Sequence, residues 1–443
     1  MVPFYQQGDI SLYNGDLRAV LPELPEASVD FVCSDPPYGL SFMERNWDHE
    51  VPGPEYWRAI ARVCKPGAVL AAFGGPRTYH RLTCAIEYAG WKIRDCLMWL
   101  YGQGMPKCGD IGKLIDTSKG AERQVVGDKL DRPGYHLHEG KGGGCYGDGD
   151  GLHAPGTDAR LRAAQITAPA TPEATVWTGW AMALKPAWEP IILAMRPMDG
   201  TIAHNALIWG VAGLNIEASR IGTESTVRTR GDSVTKAGWA STNRSPVGGS
   251  ECGRWPANLL LDEVAAAQLD AQTGTLTSGT NCVRRKTPSF LEHAGAGKPG
   301  DVQVTYGDSG GASRFFYCGK AAGTERNAGL DDFFWHQSDR KNDWQRIPQA
   351  DYDRLIAEND AAKAAGKRPS HVVSQGNIHP TVKPLDLMCY LLTLLSTPDG
   401  GVILDPFAGS GTTLLAAQRL GRPCIGVELS KENCEIAAAR LGI

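Results

Sequence analysis

The stretch 401-GVILDPFAGSGTTLLAAQRLGRPCIGVE-428 decides the fold. Residues 401–404 are a short apolar run that reads as a buried strand. Asp405 closes it, and the turn through Pro406, Phe407, Ala408, Gly409, Ser410, Gly411, Thr412 and Thr413 leads into a helix expected to reach Leu420. Residues 424–427 read as a second strand, ended by Glu428. Strand, Gly-x-Gly turn, helix and acid-ended strand make a nucleotide-binding half-unit. Gly409 and Gly411 let the backbone approach a ligand closely, and the helix N-terminus supplies free N–H groups. Glu428 stands about 20 residues beyond the first strand, where an acid bonds ribose hydroxyls. Position 414 is Leu, so the dinucleotide fingerprint fails, and no Walker lysine follows the turn. A nucleoside with a short zwitterionic tail and no phosphates fits better than NAD or ATP, with Phe407 as its apolar contact.

A second stretch, Ser34-Asp35-Pro36-Pro37-Tyr38, follows the apolar run 29–33. It too puts an acid at a strand's carboxyl end, where open α/β sheets hold their ligands. Two prolines fix φ at about −65° and remove two N–H groups. The turn is therefore stiff and shows acceptors, namely the Asp35 carboxylate and the Pro36 carbonyl, beside the aromatic face of Tyr38. Such a set suits a planar base bearing an exocyclic amine.

Between these stretches the pattern alternates. Helix is expected over 55–64, stopped by Lys65-Pro66-Gly67, then strand over 68–73, helix over 77–89 and strand over 91–100. A further strand is expected at 191–195 and a helix over 385–396. Alternation of this kind argues for an α/β fold with a doubly wound parallel sheet. The expected division is 1–110 as a catalytic half, 111–175 as a flexible insertion, 176–200 as a returning strand, 201–370 as a recognition region and 371–443 as a cofactor-binding half. The insertion contains 140-GKGGGCYGDGDG-151, too rich in glycine for a packed core. In the recognition region Arg220, Arg254, Arg284, Arg285 and Lys286 are candidates for phosphate contact, since they stand among aromatics in irregular chain.

The net charge of −4 over 443 residues gives no global signal for nucleic acid, so any binding must rest on a local patch. None of the twelve cysteines forms a C-x-x-C pair, which points to no metal site and to reduced, cytoplasmic thiols. No apolar run approaches the ~18 residues of a membrane span, and residues 1–12 lack the pattern of a signal peptide.

Residues 405–413 resemble the S-adenosylmethionine (AdoMet) motif of amino-methyltransferases that act on DNA, and residues 34–38 resemble their D-P-P-Y motif. The order, with catalytic motif first and cofactor motif last, is similar to the beta-type arrangement, a circular permutation of the Rossmann-like methyltransferase fold. Residues 377–384 resemble the family's H-P-T-x-K-P segment. Residues 184–197, 254–258 and 314–330 resemble those of phage and prophage site-specific enzymes. The resemblance implies AdoMet as cofactor and double-stranded DNA as partner, in a bacterial or phage-infected cell, as a monomer or homodimer and away from any membrane. It implies that the target base is flipped from the duplex, with Tyr38 stacked on it while Asp35 and Pro36 accept its amine protons. Asp at position 35 leans to adenine N6, with cytosine N4 as the alternative. A catalytically silent DNA-binding protein and an RNA or protein methyltransferase are more distant rivals. Asp405, Phe407, Gly409, Ser410, Gly411, Thr412 and Glu428 are the implied cofactor residues. Asp16, in an N-G-D segment, is expected near the adenosine, and Lys383 on the methionine carboxylate. Pro423-Cys424 lies in a strand, so no cysteine is expected to serve as the nucleophile of carbon-5 cytosine methylation.

Overall fold

The structure is a computed structural model that describes residues 2–40, 48–102, 104, 109–128, 165–222, 228–229, 246–247, 253–277, 282–283, 302–303, 308–319, 323–337, 344–365, 372–379 and 381–442. Its main sheet is built from β1 (Tyr5–Gln7), β2 (Ile10–Asn14), β3 (Val29–Ser34), β4 (Cys64–Phe73), β5 (Lys92–Leu100), β6 (Trp188–Met195), β7 (Leu259–Asp262), β8 (Tyr317–Gly319), β9 (Ile403–Asp405) and β10 (Cys424–Glu428). The strand order is β1-β2-β10-β9-β3-β4-β6-β5-β7-β8. From β2 to β4 all neighbours are parallel.

Side chains alternate along each central strand, and both faces are covered. Phe31 and Cys33 of β3, Val69, Ala71 and Phe73 of β4, and Ile191 and Leu193 of β6 pack on one side. Val32, Leu70, Ala72, Ile192 and Ala194 pack on the other. The first face is covered by α6 (Leu385–Leu395), α7 (Thr412–Arg419) and α8 (Lys431–Arg440). The second is covered by α1 (Leu17–Val20), α2 (Pro54–Val63) and α3 (Tyr79–Tyr88). Helix α6 buries Leu385, Leu387, Met388, Tyr390, Leu391, Leu392, Leu394 and Leu395, as a helix apolar nearly all round must. No helix among the described residues is long and apolar enough to cross a membrane.

The expected α/β sheet is present, with corrections. It is mixed, not all parallel: β6 lies antiparallel between β4 and β5. The chain can therefore return to the sheet at the edge where β5 ended, and the start of β6 shares an edge with the ends of β3, β4 and β9. Lys65-Pro66-Gly67 does not separate helix from strand. Helix α2 runs straight into β4, and the register slips between the pairs Val29–Cys64 and Phe31–Val69. A proline fits within a strand at such an irregularity, because its missing N–H costs no ladder bond there. The range 111–175, expected to be flexible, has regular ends. Helices α4 (Ile111–Ser118) and α5 (Pro172–Val176) pack together, and strands Val125–Asp128 and Gln165–Thr167 pair antiparallel. Asp116, buried between them, accepts from the Ala170 and Thr171 N–H groups at 3.0 and 3.1 Å and pairs with Arg123 at 2.5 Å. The run 140–151 lies outside the described residues. Within 201–370, β7 and β8 extend the main sheet beyond β5.

Strands β9 and β3 are neighbours whose connections leave in opposite directions, β9 through α7 to β10 and β3 through α2 to β4. A crevice at such a topological switch point is the usual ligand site of an open α/β sheet. Here that point lies between Asp405 and Asp35, at the carboxyl ends of β9 and β3.

Candidate active site

The two strand ends are joined directly. The Ser34 hydroxyl, ending β3, donates to the Asp405 Oδ1 at 2.6 Å, and the Phe407 N–H donates to the same oxygen at 3.1 Å. Burial pushes the Asp405 carboxyl up to about 6, although hydrogen bonds from Ser34, Thr413 and the Phe407 N–H act against it. The folded state thus holds this proton more tightly than the unfolded chain, where the value is 3.8. The contribution to stability is fully present below that lower value and is lost as pH rises through about 6. We expect Asp405→Asn, which keeps an acceptor for Ser34, to gain stability over the parent at pH 7.5 but not at pH 4. The gain is at most about 3 kcal/mol. Urea unfolding of both proteins at the two pH values checks it, and a difference independent of pH would refute it.

Beyond Asp405 the turn needs its glycines. Gly409 has φ +53°, and a Cβ there would come within 3.0 Å of His379 Nε2. Gly411 has φ +79°, and its Cβ would meet the Ala437 Cβ at 2.7 Å. Gly411 is also the N-cap of α7, with no side chain to cap that helix. The Gly409 N–H donates to Glu428 Oε2 at 2.8 Å, while the Ser430 N–H takes Oε1 at 2.8 Å. The Asn433 amide also donates to Oε1 at 3.3 Å, so of the carboxylate's roughly four lone-pair sites the one left open is on Oε2. Burial raises its pKa. Phe407 packs against Tyr56 and Trp57 of α2, at centroid distances of 6.5 and 6.2 Å.

Ser410 and Thr412 behave differently from expectation. Their hydroxyls point inward to the Arg440 guanidinium, at 3.2 and 3.0 Å, and the Ser410 carbonyl accepts from the same nitrogen at 2.7 Å. Both side chains are buried, so they brace the turn from beneath. Burial pulls Arg440 down to about 10. Asp16 caps α1 through the Arg18 N–H at 2.8 Å and pairs with the Arg18 side chain. Strand β2 nonetheless brings it beside Glu428, since Asn14 registers with Glu428 and the Gly15 N–H donates to the Glu428 carbonyl at 2.9 Å.

Across the crevice, Tyr38 and Gly39 both donate their backbone N–H to Asp48 Oδ1 at 2.8 Å, which fixes the loop after Pro36-Pro37. Pro36 is buried and Pro37 half-buried. The Tyr38 hydroxyl donates to Glu189 Oε2 at 3.0 Å and accepts from Lys383 Nζ at 3.1 Å. Lys383, expected on the methionine carboxylate, is held on the Asp35 side of the site. Its ammonium, 8% exposed, pairs with Asp35 Oδ2 at 2.8 Å and Glu189 Oε2 at 3.3 Å. Burial alone would lower its pKa, but Asp35 and Glu189 outweigh that and hold it above the ordinary lysine value. Burial raises the pKa of Asp35 against the pull of Lys383. Burial, Asp35 and Glu189 together keep the Tyr38 hydroxyl protonated, well above its usual range. The other Asp35 oxygen, Oδ1, is buried and accepts no hydrogen bond among the described residues.

Two of the arginines expected to meet phosphates are engaged in the fold. Arg254 is buried, pairs with Asp308 and lies under the Phe315 ring at 5.1 Å. Arg220 is held by Glu217 at 2.8 Å and by the Gly253 carbonyl at 3.3 Å. Arg284, Arg285 and Lys286 lie outside the described residues. Cys424 is wholly buried in β10, with its thiol pushed up by burial, as befits a packing residue.

Glu189 and Arg440 escape a reading of the sequence. Glu189 had one signal, an acid between Trp188 and Pro190 at the mouth of an apolar strand.

One comparison bears on this arrangement of turn, strand and H-P-T-V-K-P segment. Residues 320–439 match the N6/N4 methyltransferase family, described as DNA methylase. The methylase match takes in Lys383, Asp405, the glycine turn and Glu428. The chain is 37% identical over 118 residues to the type II methyltransferase M2.DpnII of Streptococcus pneumoniae, covering 25% of this chain and 44% of that protein. It is 52% identical over 65 residues to the type II methyltransferase M.HindIII of Haemophilus influenzae, covering 15% of this chain and 21% of that one. The chain thus spans less than half the length of these curated relatives. Among solved structures it is similar to M1.HpyAVI, at 12% identity and TM-score 0.37 over 98% of this chain and 99% of that one. It is also similar to the PvuII cytosine-N4-specific DNA methyltransferase, at 13% identity and TM-score 0.38 over 99% and 88%.

Proposed function

We propose that this protein is an AdoMet-dependent DNA methyltransferase that methylates an exocyclic amine, adenine N6 in first place and cytosine N4 in second. The supporting observation is Asp35 Oδ1, a buried acceptor without a donor, at the switch point that also holds the glycine turn. A buried carboxylate oxygen left unpaired is costly, and an amine N–H would satisfy it. The preference for adenine rests on Asp, not Ser, at position 35.

The residues present fit AdoMet. Glu428 keeps an open site on Oε2 for a ribose hydroxyl, Phe407 offers an apolar edge, and Gly409 and Gly411 let the turn between them take its left-handed shape. AdoMet, when bound, supplies an electrophilic methyl group on a sulfonium. The protein's part is orientation. Asp35 Oδ1 and the Pro36 carbonyl accept the two amine protons, which localises the nitrogen lone pair otherwise delocalised into the ring. Tyr38, its hydroxyl held by Glu189 and Lys383, presents a fixed face for stacking. Asp35 then stabilises the positive charge that develops on the amine nitrogen and stands ready for its proton. Alignment is the main lever, so small displacements of the turn are costly.

The test is to express the protein in cells lacking DNA methylation and to sequence their DNA with modification-sensitive detection. N6-methyladenine in one sequence context is the expected result. N4-methylcytosine supports the second reading. Absence of any methylated base, with no labelled methyl passed to DNA in vitro, overturns both and favours a silent binding protein. Parallel incubations with RNA and protein separate the remaining rivals.

A further inference from the structure

Lys383 answers a question that the amine clamp leaves open, namely how the site tells one base from another. Its ammonium lies 2.8 Å from Asp35 Oδ2, beside the carboxylate oxygen that has no partner. We propose that Lys383 reads the target base, donating to the unprotonated ring nitrogen next to the amine-bearing carbon while Asp35 takes the amine. The proposal rests on the amino-methyltransferase reading above.

Adenine and cytosine both present an amine donor next to a bare ring nitrogen, N1 or N3. An acceptor beside a donor, as Asp35 and Lys383 provide, complements that edge. Guanine and thymine present a carbonyl beside a ring N–H. They would set oxygen against the Asp35 carboxylate and a donor against an ammonium, so repulsion excludes them.

Lys383 has three N–H donors, here directed to Asp35, Glu189 and the Tyr38 hydroxyl. When a base enters, its amine takes the unpartnered Asp35 Oδ1, and the Lys383 N–H on Oδ2 turns to the neighbouring ring nitrogen. Glu189 and Tyr38 keep Lys383 in position during this exchange. With no base present, Lys383 on Oδ2 spares Asp35 a wholly unpaired burial. Two carboxylates against one ammonium also leave the cluster negative, so a cation on the base edge does not cancel the field at the reacting nitrogen.

The experiment uses the full chain and duplexes carrying the mapped target, with adenine or 1-deazaadenine at the methylated position (3-deazacytosine if the target is cytosine). Single-turnover rates are measured for the parent, Lys383→Met and Lys383→Arg. The deaza base removes the ring acceptor, and any intrinsic change in amine reactivity is common to all three proteins. We expect the deaza penalty to be about 10- to 100-fold larger for the parent than for Lys383→Met. Lys383→Arg, which keeps a charged donor, retains a penalty nearer the parent's. An equal penalty in the parent and Lys383→Met overturns the proposal. So does a fall in AdoMet affinity that matches the loss of rate, because Lys383 would then belong to the cofactor. If the parent methylates no DNA, the enzyme reading itself has failed, and that is seen before any variant is made.

Discussion

Asp35→Ala is expected to lower methyl transfer by at least about 10³-fold while AdoMet affinity stays within about twofold of the parent. The cofactor residues proposed above, Phe407, Gly409 and Gly411 in the turn between β9 and α7 and Glu428 at the end of β10, are not among the described hydrogen-bond partners of the Asp35 carboxylate. The structure adds a second expectation. Asp35 is one of two carboxylates that hold the buried Lys383 ammonium, so its removal leaves that charge on Glu189 alone. Removing one partner of a buried pair costs on the order of 3–5 kcal/mol, less here because a second partner remains. Asp35→Ala should therefore melt below the parent, and Asp35→Asn, which keeps the volume and one acceptor, should melt closer to it. If Asp35→Ala turns over at near the parental rate, the clamp mechanism is wrong. Rapid-quench rates, calorimetric AdoMet titration and thermal melts of the three proteins separate these effects.

Gly411→Ala carries the largest expected loss on the cofactor side. A methyl group there meets Ala437 Cβ at 2.7 Å on α8, and the backbone sits at φ +79°. The left-handed conformation costs a non-glycine residue about 1–2 kcal/mol, and overpacking adds about 1–3 more. The strain has no easy exit, because Arg440 pins the turn from below through Ser410 and Thr412. We expect a loss of about 2–5 kcal/mol by denaturant unfolding, with AdoMet binding weakened at least tenfold by roughly the same strain. Gly421→Ala provides the control, since its φ is +63° but its Cβ would meet nothing within 4 Å. If both variants lose the same amount, contact with α8 contributes nothing.

Much of this site could be read from residue order because its parts are local. The 405–413 turn and the 34–38 turn each declare themselves within ten residues, since glycine and proline fix backbone geometry wherever they stand. Glu189 was illegible for a topological reason. In an all-parallel sheet the start of a strand lies at the edge opposite the ligand. Only because β6 runs antiparallel does its first turn reach Asp35. The partners of Lys383 were illegible because a lysine's long stem lets its charge settle wherever partners are richest. Here those partners are two carboxylates brought in by β3 and β6. Arg254 and Arg220 show the converse error, for composition marks an arginine without saying whether a buried Asp308 or a nearby Glu217 has already claimed it.

The hydrogen bond between Ser34 and Asp405 joins residues 371 positions apart, and β9 and β10 slot between β2 and β3 in the middle of the sheet. During synthesis, then, β2 and β3 emerge as facing open edges with their central partners still unmade. At about 5–20 residues per second, the ribosome needs roughly 20–80 seconds to supply those partners. Throughout that interval β2 and β3 each lack a central neighbour, and Ser34 has no Asp405 to meet. Premature release would yield a fragment prone to edge-to-edge aggregation and lacking the glycine turn and Glu428. Chaperone demand on the unfinished polypeptide should accordingly be high until residue 428 has cleared the exit tunnel.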